Sequence, residues 1–231
     1  MAVEGQPGRL LWERNGVVDV EVVVDARSPA IGGPGRRVDT PGDHRAMSRH
    51  QPPAGPSTDR VSATGRVALS AHEVFLILCD PARHVEIDDS AMVRAAPDAT
   101  RLTEVGQTFD VEMDRRPLHD TPNTEAYLNL VRDVPDYRVR CTVTRLIPDQ
   151  LIEWSVQAAG KPPGGHVWGW EIQPLTDGSC RVTNYCDWTN ISDGLRARFR
   201  WPVVPVDRFE RSIQRLGEIA TREHGGDIGR P

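Results

Sequence analysis

Five segments with alternating apolar and polar residues constrain the fold of this chain more than any other feature. They span residues 107–113, 138–146, 151–156, 166–175 and 180–189. In each segment apolar side chains recur at every second position, which is the spacing of a β-strand with one buried face. Turn-forming pairs, Pro148-Asp149 and Asp177-Gly178, separate neighbouring segments. This pattern predicts an antiparallel sheet that is covered on one side.

The elements expected to flank this sheet are one strand with two short helices before it and one long helix after it. Residues 61–69 alternate and predict a first strand, and Ser70 and Glu73 have the spacing of a capping box at a helix start. Asp80 and Pro81 are suited to begin a second short helix. The predicted C-terminal helix has an apolar stripe at intervals of three and four, formed by Val206, Phe209, Ile213, Leu216 and Ala220.

This order of elements predicts a hollow. A long antiparallel sheet twists and curls, and a helix laid across its concave side leaves part of the trough unfilled. We expect the inward side chains to line an apolar space of the kind that binds small molecules. The residues predicted to line it are Phe109, Cys141, Trp154, Trp168, Trp170, Phe209 and Ile213.

Charge and composition exclude several classes of protein. The 231 residues carry a formal net charge of −5, which argues against a nucleic-acid partner because phosphates require a basic face. No run approaches the roughly 20 apolar residues of a membrane span, and the N-terminus does not resemble a signal peptide, so we expect a cytoplasmic protein without integral membrane association. The four cysteines form no CxxC pair and predict buried small hydrophobes. We expect no metal and no cofactor.

Residues 1–60 differ from the rest of the chain. They hold 8 of the 20 glycines and 7 of the 19 prolines, a composition that cannot bury enough apolar surface to fold. We expect a mostly disordered extension with one isolated strand in residues 16–26, and Met47 as an alternative start. The predicted domain is 61–224, followed by a flexible tail at 225–231. One class of function suggested by this composition is a partner-binding or regulatory module, in which the flexible residues 1–60 bind another protein.

The stretch from Cys79 to Met92, CDPARHVEIDDSAM, is rich in polar and titratable residues. The favoured interpretation is a connector, in which Asp80 caps a helix, Arg83 and His84 end it, and residues 88–90 turn into the next strand. The alternative is a metal site formed by His84, Asp88 and Asp89, whose spacing matches no familiar ligand loop.

Four stretches, DPARHVEIDDSAMVR, GGHVWGWEIQPL, RVTNYCDWT and RFRWPVVPVDRFERSIQRL, resemble the polyketide cyclase/dehydrase-like branch of the START-like superfamily of actinobacterial type. The resemblance covers residues 61–223. It implies an α+β helix-grip fold, a curved antiparallel sheet around a long C-terminal helix with two short helices after the first strand. It also implies the binding of lipids, polyketides or other hydrophobic molecules, with catalysis in some members.

The chain departs from this family pattern at two places. Residues 88–91 read Asp-Asp-Ser-Ala where the family pattern has Asp-Gly-Ser-Gly, so a turn that needs positive φ would be strained or differently shaped. Residues 117–137 are longer than the pattern and predict a strand, a short helix or a lid over one end of the sheet. The Arg- and aromatic-rich segment 195–206 is interpreted as a loop with Trp201 packed inward, rather than a membrane or nucleic-acid contact.

Two functions follow from these predictions. The first is a binding protein for a hydrophobic small molecule, because no combination of nucleophile, base and orienting group is visible in the sequence. The alternative is a cyclase, aromatase or dehydrase that uses His166 as a general acid/base, because the alternation places this imidazole on the face of Trp168 and Trp170. His166 could equally lie at the rim of the hollow, beside Gly164 and Gly165. Glu171 and Asp187 are expected to face outward.

Overall fold

The computed structural model describes residues 18–23 and 59–225, which form one eight-stranded antiparallel sheet flanked by helices. The strands are β1 (Val18–Val23), β2 (Arg60–Val67), β3 (Val93–Ala95), β4 (Thr108–Asp114), β5 (Asp136–Ile147), β6 (Leu151–Ala158), β7 (Val167–Pro174) and β8 (Cys180–Asp187). The helices are α1 (Ala71–Leu78), α2 (His84–Ile87), α3 (Glu125–Asp133), α4 (Asp193–Arg198) and α5 (Val206–Gly225). The strand order is β1-β2-β8-β7-β6-β5-β4-β3. The predicted helix-grip fold is confirmed.

Two helix starts form as the sequence predicts. Ser70 Oγ accepts the backbone N–H of Glu73, and the Glu73 carboxylate accepts the backbone N–H of Ser70 at 2.8 Å, which completes the capping box of α1. Asp80 caps the short 3-10 helix Pro81–Arg83 by accepting the N–H of Ala82. These local hydrogen bonds satisfy donors that have no partner within the helices.

The turn after α2 is shaped by Asp88 and Ala91. The Asp88 carboxylate accepts the backbone N–H groups of Ser90 and Val93 and the Ser90 hydroxyl. Ala91 has φ +56°, a conformation that glycine adopts at lower cost. The family pattern has a glycine at this position, so the strain expected from its loss is present in the backbone.

The helix α5 is packed against one side of the sheet. Its buried stripe contains Phe209, Ile213, Leu216 and Ile219, each at most 2% exposed, and it lies mainly against β2 and β8. The helix α1 lies against β6 and β7. All four cysteines are free and buried, as predicted. The two helices therefore pack mainly on different strands of the sheet.

The strand predicted in residues 16–26 is not isolated. It is β1, which pairs antiparallel with β2, with Val22 opposite Ala63 and Val23 opposite Ser62. The expectation of a single strand without a partner is therefore wrong. The predicted disorder of the remaining N-terminal residues, the alternative start at Met47 and the predicted flexibility after Gly225 lie outside the described residues.

Residues 117–137 contain a helix, which was one of three predicted alternatives. Thr124 caps α3 by accepting the N–H of Tyr127, and the helix buries Tyr127 and Val131. A 3-10 turn, Arg116–Leu118, precedes α3 and buries Leu118 completely. These buried side chains attach the segment to the domain as a cover at one end.

Candidate functional site

Burial of the concave face decreases along two neighbouring strands. Ile152 on β6 and Trp170 on β7 are opposite each other and are 0% and 4% exposed. The next inward pair, Trp154 and Trp168, is also directly opposite but only half-buried. Both tryptophans lie on the inward face, where Trp154 packs against His84 and Phe109, and Trp168 packs against Phe209. Burial of this face therefore decreases from the pair Ile152 and Trp170 to the pair Trp154 and Trp168.

Aromatic side chains from the sheet and from α5 meet at the end of the inward face that contains Trp154 and Trp168. Trp168 stacks on Phe209 with 5.3 Å between ring centroids and an angle of 6°. This stack brings the sheet and the helix into direct contact. Trp168 is therefore both part of the hydrophobic packing and part of the accessible wall.

His84 belongs to the same wall, although the sequence suggested that it lies in a connector. Its ring stacks on Trp154 at 5.1 Å and meets the edge of Phe109 at 5.7 Å. His84 Nε2 is 2.9 Å from the carbonyl oxygen of Leu78, and burial lowers the pKa of this imidazole. It is the C-cap of the 3-10 helix Pro81–Arg83, as predicted, and also the first residue of α2. A histidine in a polar stretch gave no signal of this inward position.

The seven residues predicted to line the hollow divide into two groups. Trp154 and Trp168 are half-buried and accessible. The other five are at most 5% exposed and form part of the hydrophobic core: Phe109, Cys141, Trp170, Phe209 and Ile213. All seven belong to one hydrophobic core or pack against it, and Trp154 and Trp168 are the least buried of them.

His166 lies one residue before β7. It is next to Trp201, from the segment before α5, and Trp201 is in turn next to Trp188, which directly follows β8. Its ring is 5.1 Å from that of Trp201, and Trp201 stacks on Trp188 at 5.7 Å. His166 Nδ1 is buried and has no hydrogen-bond partner among residues 18–23 and 59–225, and burial lowers the pKa of His166 to about 4. The imidazole is therefore neutral at pH 7.

One end of the domain is closed by contacts between α3 and residues 198–201. The Thr124 hydroxyl donates to the carbonyl oxygen of Arg198. Asn123 Oδ1 accepts the N–H of Arg200 at 3.1 Å. The Tyr127 ring meets the edge of Phe199 at 6.0 Å. Segment 117–137 is therefore attached to the segment before α5, and its role as a lid stays a prediction.

Asp89 holds α5 to the turn after α2. Its carboxylate accepts Arg211 Nε at 2.6 Å, Arg215 Nε at 2.9 Å and Arg208 Nη1 at 3.3 Å. This cluster borders a surface groove of about 520 Å³, and a second groove of about 660 Å³ lies beside His72 and outside the trough. Within residues 18–23 and 59–225, no group of three His, Cys, Asp or Glu side chains is placed to hold a metal ion.

Comparisons with known proteins agree with this architecture. No protein-family model matches the chain. The crystal structure of protein Ms6760 from Mycobacterium smegmatis is similar with a TM-score of 0.50 and 12% identity, over 90% of this chain and 99% of that one. A START superfamily protein from Mycobacterium smegmatis has a TM-score of 0.41 and 14% identity, over 72% and 94% of the two chains.

The curved antiparallel sheet, the two short helices after β2 and the long α5 together form a helix-grip fold. Two mycobacterial proteins have similar sequences. The Uncharacterized protein Rv0088 of Mycobacterium tuberculosis H37Rv is 33% identical over 191 residues, covering 80% of this chain and 72% of that protein. The Uncharacterized protein MT0096 of strain CDC 1551 is 32% identical with the same coverage. The chain belongs to the family of these proteins and is of actinobacterial type.

None of the helices in the part of the chain that the structure describes is long and apolar enough to cross a membrane.

Proposed function

We propose that the protein binds a hydrophobic small molecule, such as a lipid or a polyketide, in the trough between its sheet and α5. The observation that carries this proposal is the half-buried pair Trp154 and Trp168, which presents aromatic surface on the concave side. Large inward aromatic side chains that stay accessible are a suitable wall for an apolar ligand. The ligand packs against this pair and displaces neighbouring side chains at the accessible end.

Binding is favoured over catalysis by the state of His166. A neutral imidazole with a pKa of about 4 cannot donate a proton as a general acid at pH 7 and is a weak base. Its Nδ1 has no partner in the described part of the chain that would orient the ring. For the alternative, a cyclase or dehydrase, H166A would abolish turnover of a poly-β-keto substrate, and unchanged turnover would rule out that role.

A cytoplasmic location is part of the proposal. It is supported by the four cysteines, which are all free and buried and so are suited to a reducing compartment.

The proposal is tested by titration with 1-aminoanthracene, an uncharged planar probe that becomes more fluorescent in apolar surroundings. We expect saturable binding with one probe per chain. W168A and W154A each remove an aromatic wall and should weaken binding about tenfold. V105A is the matched control, because Val105 is an apolar residue that is 59% exposed outside the trough.

Circular dichroism of each variant checks that the fold is retained. Probe binding that is absent, or that is equally strong in W154A, W168A and V105A, would overturn the proposal.

A further inference from the structure

Three buried side-chain polar atoms have no hydrogen-bond partner within the described part of the chain. They are Tyr127 Oη, His166 Nδ1 and Trp201 Nε1. A buried polar atom without a partner costs free energy, and such atoms are rare in folded proteins. At each of these three positions, the described part of the chain therefore does not supply the hydrogen bond that the buried atom needs.

All three atoms come from the same end of the domain. The His166 and Trp201 rings are in contact, with centroids 5.1 Å apart. Tyr127 packs on Phe199, two residues before Trp201 in the chain. Asn123, near the start of α3, is hydrogen-bonded to Arg200, which directly precedes Trp201. His166 and Trp201 are thus in contact where the start of β7 meets the segment before α5, and Tyr127 packs against the same segment.

The contact between His166 and Trp201 is close to the aromatic residues Trp168 and Phe209, which form part of the aromatic wall. His166 is two residues before Trp168, and Trp168 stacks on Phe209. An extended chain advances about 3.3 Å per residue, so His166 lies about 7 Å along the strand from the ring wall. A ligand that packs against Trp168 can therefore reach the His166–Trp201 pair with its other end.

The chemistry of the two nitrogen atoms defines what can bind. Trp201 Nε1–H is a donor only, so its partner must be an acceptor oxygen. A neutral imidazole nitrogen either donates or accepts, according to its tautomer. A hydroxyl group can accept the Trp201 Nε1–H, and it can donate to His166 Nδ1 or accept from it, according to the tautomer. Burial lowers the pKa of His166 to about 4, and an enclosed neutral ring is a poorer partner for an anionic group than for an uncharged one.

We propose that His166 and Trp201 form a polar subsite that binds the uncharged, oxygen-bearing end of the ligand, with a hydroxyl group as the best fit. This inference rests on the proposed function, since it concerns the same ligand. It narrows the ligand class to molecules that are apolar along most of their length and carry a neutral oxygen at one end.

The test compares naphthalene, 2-naphthol and 2-naphthoate at pH 7, with the full chain labelled at the indole nitrogen of its tryptophans. Binding is followed by two-dimensional NMR of the indole N–H groups, and W201F assigns the Trp201 signal. We expect 2-naphthol to bind about threefold to tenfold more tightly than naphthalene, the range for one net hydrogen bond. We expect 2-naphthol to move the Trp201 N–H signal downfield and 2-naphthoate to bind more weakly than 2-naphthol.

The variants separate the subsite from the wall. W201F keeps an aromatic ring and removes the N–H, so it should abolish the preference for 2-naphthol over naphthalene. H166F should reduce the same preference. W168F is the matched control, because it changes a wall ring and should weaken both probes together.

The outcomes distinguish the two proposals. Equal binding of naphthalene and 2-naphthol, or a preference for 2-naphthol that survives in W201F, would overturn the proposed subsite. The proposed binding of an apolar molecule would not be affected. Ordered water would then satisfy the two nitrogen atoms. Tightest binding of 2-naphthoate would overturn the uncharged ligand class. If none of the three probes binds, the proposed function itself is overturned and the subsite with it.

Discussion

At the scale of single residues, burial decides the chemistry of His166. The ring lies against Trp201, its Nδ1 is enclosed without a partner, and its pKa falls to about 4. The sequence predicted that this imidazole would lie on the face of the tryptophans or at the rim. It could not predict the neutral state, because that depends on Trp201, which is 35 residues away in the chain and approaches only in the folded protein.

The lowered pKa of His166 predicts how stability depends on pH. The unfolded chain takes up a proton on this residue near pH 6.5, whereas the folded chain does so only near pH 4. The free energy of unfolding therefore decreases as pH falls through this window, by about 2 kcal/mol at pH 5 from this residue. Urea unfolding of the wild type and H166N at pH 7 and pH 5 measures the difference.

In that experiment H166N should lose less stability between pH 7 and pH 5 than the wild type does. The other titrating groups, His84 among them, are present in both proteins and cancel in the comparison. An identical loss in the two proteins would show that His166 is not buried in a neutral form.

At the scale of elements, the polar stretch 79–92 is mainly a connector, as the sequence predicted for Asp80 and Asp88. What the sequence could not show is that Asp89 fixes the position of the last helix. Three arginines of α5 converge on this carboxylate from more than 115 residues away. Their spacing on α5 is visible in the sequence, but the acidic residue they share is identified only by the packing of α5 on α2.

The Asp89 cluster predicts a cost for removing its charge. D89N would leave Arg208, Arg211 and Arg215 without their shared carboxylate, which is only 10% exposed. We expect a loss of about 2 kcal/mol in the free energy of unfolding, less than for a fully buried pair because the arginines remain partly solvated. Urea unfolding measures this loss.

The control is D207N, which removes an exposed partner of the same Arg211 and should change stability by at most about 0.5 kcal/mol. Equal stability of D89N and D207N would show that Asp89 does not hold α5 in place.

At the scale of the whole molecule, the strand pattern was sufficient to predict the fold. Period-2 alternation specified which side chains face inward, with Trp154 and Trp168 directly opposite each other. The alternation is interrupted by a register shift in β5, and β6 and β8 also bury Glu153 and Tyr185 on the other face. Two features depended on long-range packing and were beyond the pattern. One is β1, which pairs with β2 from within a segment whose composition predicted disorder. The other is the uneven burial of the inward face, where Trp154 and Trp168 are less buried than Ile152 and Trp170.

The central claim is that this trough takes up an apolar molecule, and a crystal structure of the protein with bound 1-aminoanthracene tests it most directly. The account predicts probe density between α5 and the pair Trp154 and Trp168. Density confined to the surface grooves beside Asp89 or His72, with the side chains of the trough packed as they are without the probe, would contradict it.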